Sequence, residues 1–283
     1  MKRCFWILRK VAKRFLSDGC LNLSAAISFY ALLSAIPTFA LLVSGVGYVL
    51  GSSEKVAEMA AKYLEAILPQ ASDFVYEGIK RLIADKELTG GIGVLMLIWV
   101  AISLFSSIES SVNSILRFPS RHGIFKSFLR QSLVSIAMML GFGFLLLFSI
   151  ALTMLSSILE RVSWDIGRVH IPLIGFWRSF GLLLSFALSF LVFFGIYKFA
   201  ARMRVSWRSS AIGAFIAGSL WEIAKRIFTF YVVHVSNYAR IYGPITAVIV
   251  FIIWVYVSAA ILLAGAEVVA VLEEGDEGVH SYL

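Results

Sequence analysis

Charge and cysteine are what this chain has least of. Charged residues make up 15% of its 283 positions, against about 25% in an ordinary globular domain, while residues of the AVILMFWYC set make up 60%. So little charge cannot clothe a water-soluble surface, and a soluble globular domain is excluded. The two cysteines, Cys4 and Cys20, stand in the N-terminal segment and form neither a disulfide framework nor a metal box. His122, His170, His234 and His280 are scattered over different loops with no two at ligand spacing, so no metal and no cofactor is expected. No Walker motif occurs, which leaves no site for ATP-driven work on this chain. Gly141-Phe142-Gly143 has no strand before it and reads as helix packing, not a phosphate loop. Between Arg3 and Arg9 the apolar run Phe5 to Leu8 is only four residues long, too short for the core of a cleavable signal, so the N-terminus is expected to be mature.

What is abundant is long apolar sequence. Crossing about 30 Å of hydrocarbon takes roughly 20 helical residues. Six runs of about that length or more occur, over 24–50, 88–108, 132–157, 173–197, 209–233 and 244–263. The expected fold is all-α: a polytopic membrane protein of six transmembrane helices in a single integral membrane domain, 1–283. The stretches between runs, about forty residues at the longest, leave no room for a soluble catalytic domain. Inside the first run Pro37 removes a backbone donor and predicts a kink, with Ser34 and Thr38 placed to satisfy the freed carbonyl.

With the N-terminus inside, fourteen Lys and Arg residues fall on the inner side and eight on the outer. Five of those eight lie in one long loop beside seven acids. The positive-inside rule therefore puts both termini in the cytoplasm. The arm over 1–20 places Phe5, Leu8, Val11, Ala12 and Phe15 at helical spacing opposite six bases. It is either a helix in the inner headgroup layer or a solvated basic arm that sets topology. The loop over 51–87 reads as an extracytoplasmic hairpin of two amphipathic helices separated at Pro69. Its mixed charge favours packing on the bundle; dipping into the outer leaflet or forming a lid are the alternatives, and in a scaffold reading it would dock a protein partner. The tail, 273–283, is acidic and is expected to be a solvated end without chemistry.

An ionised side chain at mid-membrane costs about 2.5 to 3.5 kcal/mol on insertion scales, so such residues need partners. In the fifth run Glu222, Lys225 and Arg226 lie at i, i+3 and i+4, which pairs Glu222 with one base and leaves one positive charge over. Arg240 and Tyr242 in the next outer turn stand beside it, and Arg178 either snorkels to headgroups or faces the same pocket. Ser210, Ala214, Gly218 and Glu222 form an i+4 ridge of small residues for close helix approach. The charged turn is thus either a structural ion pair ending a packing ridge or a site for an anionic headgroup. Glu267 does not reach it: Arg226 lies about 25 Å up the fifth run, and Glu267 about 35 Å down from Pro244, near the inner surface, where inner basic loops should meet it. Gly243-Pro244 begins the sixth run, glycine allowing a sharp entry and proline losing no needed donor.

The stretch Asp18 to Pro37 resembles the opening signature of the YihY/virulence factor BrkB family of bacterial inner-membrane proteins. The likeness continues through Val205-Ser206-Trp207-Arg208, Gly213-Ala214, Trp221-Glu222, Ile241-Tyr242-Gly243-Pro244, Trp254-Val255-Tyr256 and Leu263-Ala264-Gly265-Ala266-Glu267. Pro244 stands where a small polar residue is common. The resemblance implies six transmembrane helices, a cell inner-membrane location and a role in envelope maintenance. It marks Ser34, Pro37, Trp207, Arg208, Glu222, Tyr242, Gly243 and Glu267 as motif positions. The family's older label, ribonuclease BN, finds no support in these residues: metal ligands are not clustered, and the basic loops follow from topology, so no nucleic acid partner is expected. With no nucleophile and base, paired carboxylates or metal box in view, the chain is not expected to be an enzyme. Two readings remain, a transporter or translocase of anionic membrane lipids with Glu222, Lys225, Arg226, Arg240 and Tyr242 as its site, and a structural scaffold.

Overall fold

The architecture comes from a computed structural model, which describes residues 2–50, 86–117, 173–201, 205–242 and 245–280, together with 134, 136, 138 and 141. Among them there are helices and no strand: α1 (Lys2–Ser17), α2 (Cys20–Leu50), α3 (Lys86–Ile115), α4 (Leu173–Gly195), a π-helical turn (Ile196–Ala200), α5 (Trp207–Tyr242) and α6 (Ile245–His280). Three stretches are long and apolar enough to cross a membrane, Leu95–Ile115, Leu183–Ala200 and Val248–Glu274. A bent pair, Ile7–Ser17 with Cys20–Ala35, makes a fourth if it is one span. The expected fifth span is not among these, because α5 carries Glu222, Lys225 and Arg226 within one turn. Of the expected third span only residues 134, 136, 138 and 141 are described, all helical. The hairpin lies outside the described residues up to 85; Lys86 and Glu87 already belong to α3.

The chain divides into two compact units, one of Met1–Cys20, Glu109–Ile223 and Ile261–Leu283, the other of Leu21–Ile108 and Ala224–Ala260. In the second, α2 stays helical through Pro37, which is buried, and Ser34 Oγ donates to Ala31 O at 2.7 Å in the preceding turn. Phe228 of α5 packs against Trp254 of α6 with ring centroids 4.5 Å apart.

The first unit is organised by a close approach of α5 to α6. A Cβ on Gly213 would run into Val269 and come within 3.0 Å of Gly265 O. A Cβ on Gly265 would run into the Tyr197 hydroxyl and lie 2.9 Å from Ala217 Cβ. Around this contact Ala214, Ala217, Leu263, Ala266 and Val269 are fully buried. Tyr197 comes from the π-helical turn; its hydroxyl donates to Leu262 O at 2.7 Å and its ring stacks on Phe193. The turn ends on a carbonyl, Ala200 O, that accepts from the Asn113 amide of α3 at 3.0 Å. On its other face α5 meets α4, where the expected ridge of small residues sets Gly218 against Phe186 and Phe190.

The motif Val205-Ser206-Trp207-Arg208 starts α5. Ser206 Oγ accepts from Arg208 N at 3.3 Å, as an N-cap does. Glu273 of α6 accepts from Ser206 N at 3.1 Å, placing a carboxylate at the positive end of the helix. Lys198 donates to Val205 O and lies over the Trp207 ring, 4.6 Å from its centroid. Glu274 pairs with both Lys10, at 3.0 Å, and Arg14. The first two acids of the tail are therefore structural contacts, which corrects the expectation of a solvated end; α6 runs on far enough to present them.

Those contacts seat α1. Val11 is buried against Val268 and Val271, with Ile7, Ile216 and Leu272 around it, while Leu8, Arg9, Lys13 and Leu16 stay exposed. The arm thus packs one face on protein and keeps another free. Gly19, with φ +67°, lets the chain leave α1 in the left-handed region.

Two predictions follow from this packing. Gly265→Ala forces a methyl onto the Tyr197 hydroxyl and should cost about 1–3 kcal/mol, the range for overpacking, read as a lower midpoint of thermal unfolding in detergent. In a Tyr197→Phe background the same alanine should cost less; an equal cost in both backgrounds would refute the contact. Glu274→Gln frees Lys10 and Arg14 from a half-exposed pair worth less than about 1 kcal/mol. It should raise hydrogen exchange in α1 with little change in the global unfolding midpoint, and high salt should do the same to the unaltered protein.

Candidate functional site

The charged turn expected from the sequence lies on α5. Glu222 is half-buried and accepts from Ser185 Oγ of α4 at 3.3 Å. Lys225 is half-buried, and its carbonyl accepts from Thr229 Oγ1 at 2.8 Å. Arg226 is exposed, on the same helix face as the exposed apolar side chains of Ile223 and Phe230. Arg240 and Tyr242 belong to the last turns of α5, but their side chains, like that of Arg178, lie outside the described residues, as do Gly243 and Pro244. Of the other motif positions, Ser34 and Pro37 sit in α2, and Trp207 and Arg208 are exposed in the first turn of α5.

Glu267 occupies a different environment. It is 0% exposed, on the part of α6 that belongs to the first unit. Its Oε1 accepts from Cys20 Sγ at 3.5 Å, and its Oε2 has no hydrogen-bond partner among the described residues. The charges that act on it are Asp18, Arg14 and Arg117. Both bases are engaged elsewhere: Arg14 pairs with Glu274, and Arg117 reaches Asp18 Oδ1 at 3.1 Å and Oδ2 at 3.3 Å. Arg117 adopts φ 55°, a left-handed conformation that costs a side-chain-bearing residue roughly 1–2 kcal/mol. It sits at the end of α3, where Leu116 N and Arg117 N close the last turn on Val112 O and Ser114 O. The pair with Asp18 helps to hold that strained residue in place.

A second buried acid, Glu109, is 1% exposed on α3, and its backbone carbonyl accepts from the Asn113 amide at 2.7 Å. Sequence reasoning ended the second span at Ile108 and so missed Glu109 and Asn113 as parts of the same helix, and Arg117 in the turn that ends it. The available signal was the absence of proline or glycine from 109 to 115, with Glu109 and Asn113 spaced i, i+4. Cys20 and Asp18 were read as parts of a motif, with no sign of what they would touch. Tyr197 was the end of an apolar run. Among the described residues no group of three or more His, Cys, Asp or Glu side chains is placed to hold a metal ion.

Chemically the two places differ. The α5 turn offers an accessible guanidinium set among exposed apolar side chains. The Glu267 environment offers a buried carboxyl whose nearby bases pair with other acids.

Sequence comparison places these features in a known group. A UPF0761 membrane protein of Alcanivorax borkumensis is 26% identical over 275 residues, covering 95% of this chain and 60% of that protein. A UPF0761 membrane protein of Pseudoalteromonas atlantica is 25% identical over 256 residues, 90% of this chain and 82% of that one. One of Haemophilus influenzae is 26% identical over 272 residues, 95% of each. The chain spans 60% of the Alcanivorax protein's length, and less than two thirds of that of the relative from Chromohalobacter salexigens. No solved structure matches it. The sequence model of the Virulence factor BrkB family matches residues 11–281, nearly the whole length, and the chain belongs to that family.

Proposed function

We propose that this BrkB-family membrane protein is a translocase of an anionic lipid or amphiphile in the bacterial inner membrane, where it serves envelope maintenance, and that the α5 turn of Glu222, Lys225 and Arg226 is its headgroup site. The observation that carries this reading is Arg226, an exposed cation between Ile223 and Phe230 on an apolar helix face. An ionised group in such a setting is costly unless an anion or water reaches it, and intramembrane charge of this kind marks substrate paths. A phosphate or carboxylate headgroup, moving with its tails in hydrocarbon, would meet the guanidinium without leaving the membrane. Bidentate hydrogen bonding would favour such an anion over a zwitterion of the same size. Glu222, held by Ser185 of α4, fixes the start of the turn. In this reading Arg240 and Tyr242, in the last turns of α5, belong to the same site.

The test is movement of fluorescent anionic and zwitterionic lipids between leaflets of liposomes that contain the purified protein. Anionic lipid should cross faster than in empty liposomes. Arg226→Ala should lower that rate at least about tenfold, the equivalent of losing one charge-assisted contact of ~1.4 kcal/mol, with the unfolding midpoint in detergent unchanged. No lipid movement above the empty control would overturn the proposal, and a fall in stability with no change in rate would assign the turn to the scaffold.

A further inference from the structure

Glu267 is placed as no structural acid needs to be. A carboxylate ion in a dry setting is several kcal/mol unfavourable unless a counter-ion and hydrogen bonds accompany it. Here one oxygen has only the thiol of Cys20, a weak donor, and the other has no hydrogen-bond partner among the described residues. The groups that face it are Cys20 at the start of α2, Asp18 in the turn between α1 and α2, Arg14 on α1 and Arg117 at the end of α3. Asp18 opposes a second negative charge, and the two guanidiniums are bonded to Asp18 and Glu274.

We propose that Glu267 is a proton-binding site that couples substrate movement to a proton gradient, an inference that rests on the translocase reading for its coupling but not for the site itself. The counter-ion that would release the proton is already at hand. Arg117 is held to Asp18 by one guanidinium nitrogen, in a strained backbone conformation next to a glycine hinge at position 19. When the Asp18–Arg117 pair opens, Arg117 becomes free to serve Glu267, which then ionises and gives its proton from the carboxyl to water. When the pair closes, Glu267 takes a proton back. One proton is bound and one released per cycle, and no other reactant is required.

The experiment is infrared difference spectroscopy of the full-length protein in detergent, between mildly acidic and mildly alkaline buffer. A protonated-carboxyl carbonyl band should appear on acidification, vanish in Glu267→Gln and persist in Glu109→Gln. Its absence from the unaltered protein, or its persistence in Glu267→Gln, overturns the site. Glutamine has the shape of the neutral acid, so Glu267→Gln should unfold at the same temperature or higher; a clear loss of stability marks Glu267 as a structural anion and also overturns it. In liposomes, a difference of one pH unit across the bilayer should shift the final distribution of anionic lipid about tenfold if one proton accompanies each lipid, and sodium at constant pH should not. Lipid movement in the unaltered protein that ignores the gradient overturns the coupling. No lipid movement at all overturns the translocase reading, while the infrared band still decides the site.

Discussion

Two glycines and one tyrosine set the first unit of this protein. Helices α5 and α6 approach so closely at Gly213 and Gly265 that a methyl on either would strike its neighbour, and the Tyr197 hydroxyl fills the space that Gly265 leaves. In an apolar solvent helices gain little from hiding hydrocarbon, so association depends on close packing and on satisfied polar groups. Both are supplied here at one place: the backbones meet across small residues, and Tyr197 bonds the carbonyl of Leu262. The π-helical turn matters because it carries that tyrosine, and Asn113 closes it on Ala200.

From that contact the polar end of the first unit follows. With α5 and α6 set together, Glu273 reaches the first turn of α5. Glu274, next along, meets Lys10 and Arg14 and seats α1. Seating α1 places Gly19 and Asp18, and Asp18 pairs with Arg117 at the end of α3. Glu267 is enclosed by these partners, whose guanidiniums act on it while making their ion pairs with Glu274 and Asp18. A buried carboxyl among committed bases is a consequence of how the surrounding pairs are matched.

Under the proposed reading, the two places would divide the work of a coupled translocase in chemical terms. Arg226 is accessible and positive, and its neighbours are hydrocarbon. Glu267 is enclosed, and ionisable without a dedicated counter-ion among the described residues. An anion from the membrane suits the first, a proton the second.

Much of this was legible from residues alone. Poverty of charge and long apolar runs determined an all-α membrane protein, because only helices satisfy the backbone within a segment in hydrocarbon. The charged turn of α5 was visible for the same reason: three ionised residues in an apolar run violate a strong rule. The small-residue ridge of α5 was also a local pattern, read from spacing, whereas its Ser206 cap emerged only with the structure. What the tertiary structure decided was which polar groups meet across long separations in the chain. Glu274 and Lys10 stand at opposite ends of the sequence, as do Cys20 and Glu267; no periodicity links them, since contact is set by helix approach and not by position along one helix. The ends of α3 and α6 extended past their apolar stretches for that reason too, because tertiary partners at Asn113 and Glu273 hold turns that hydropathy alone does not.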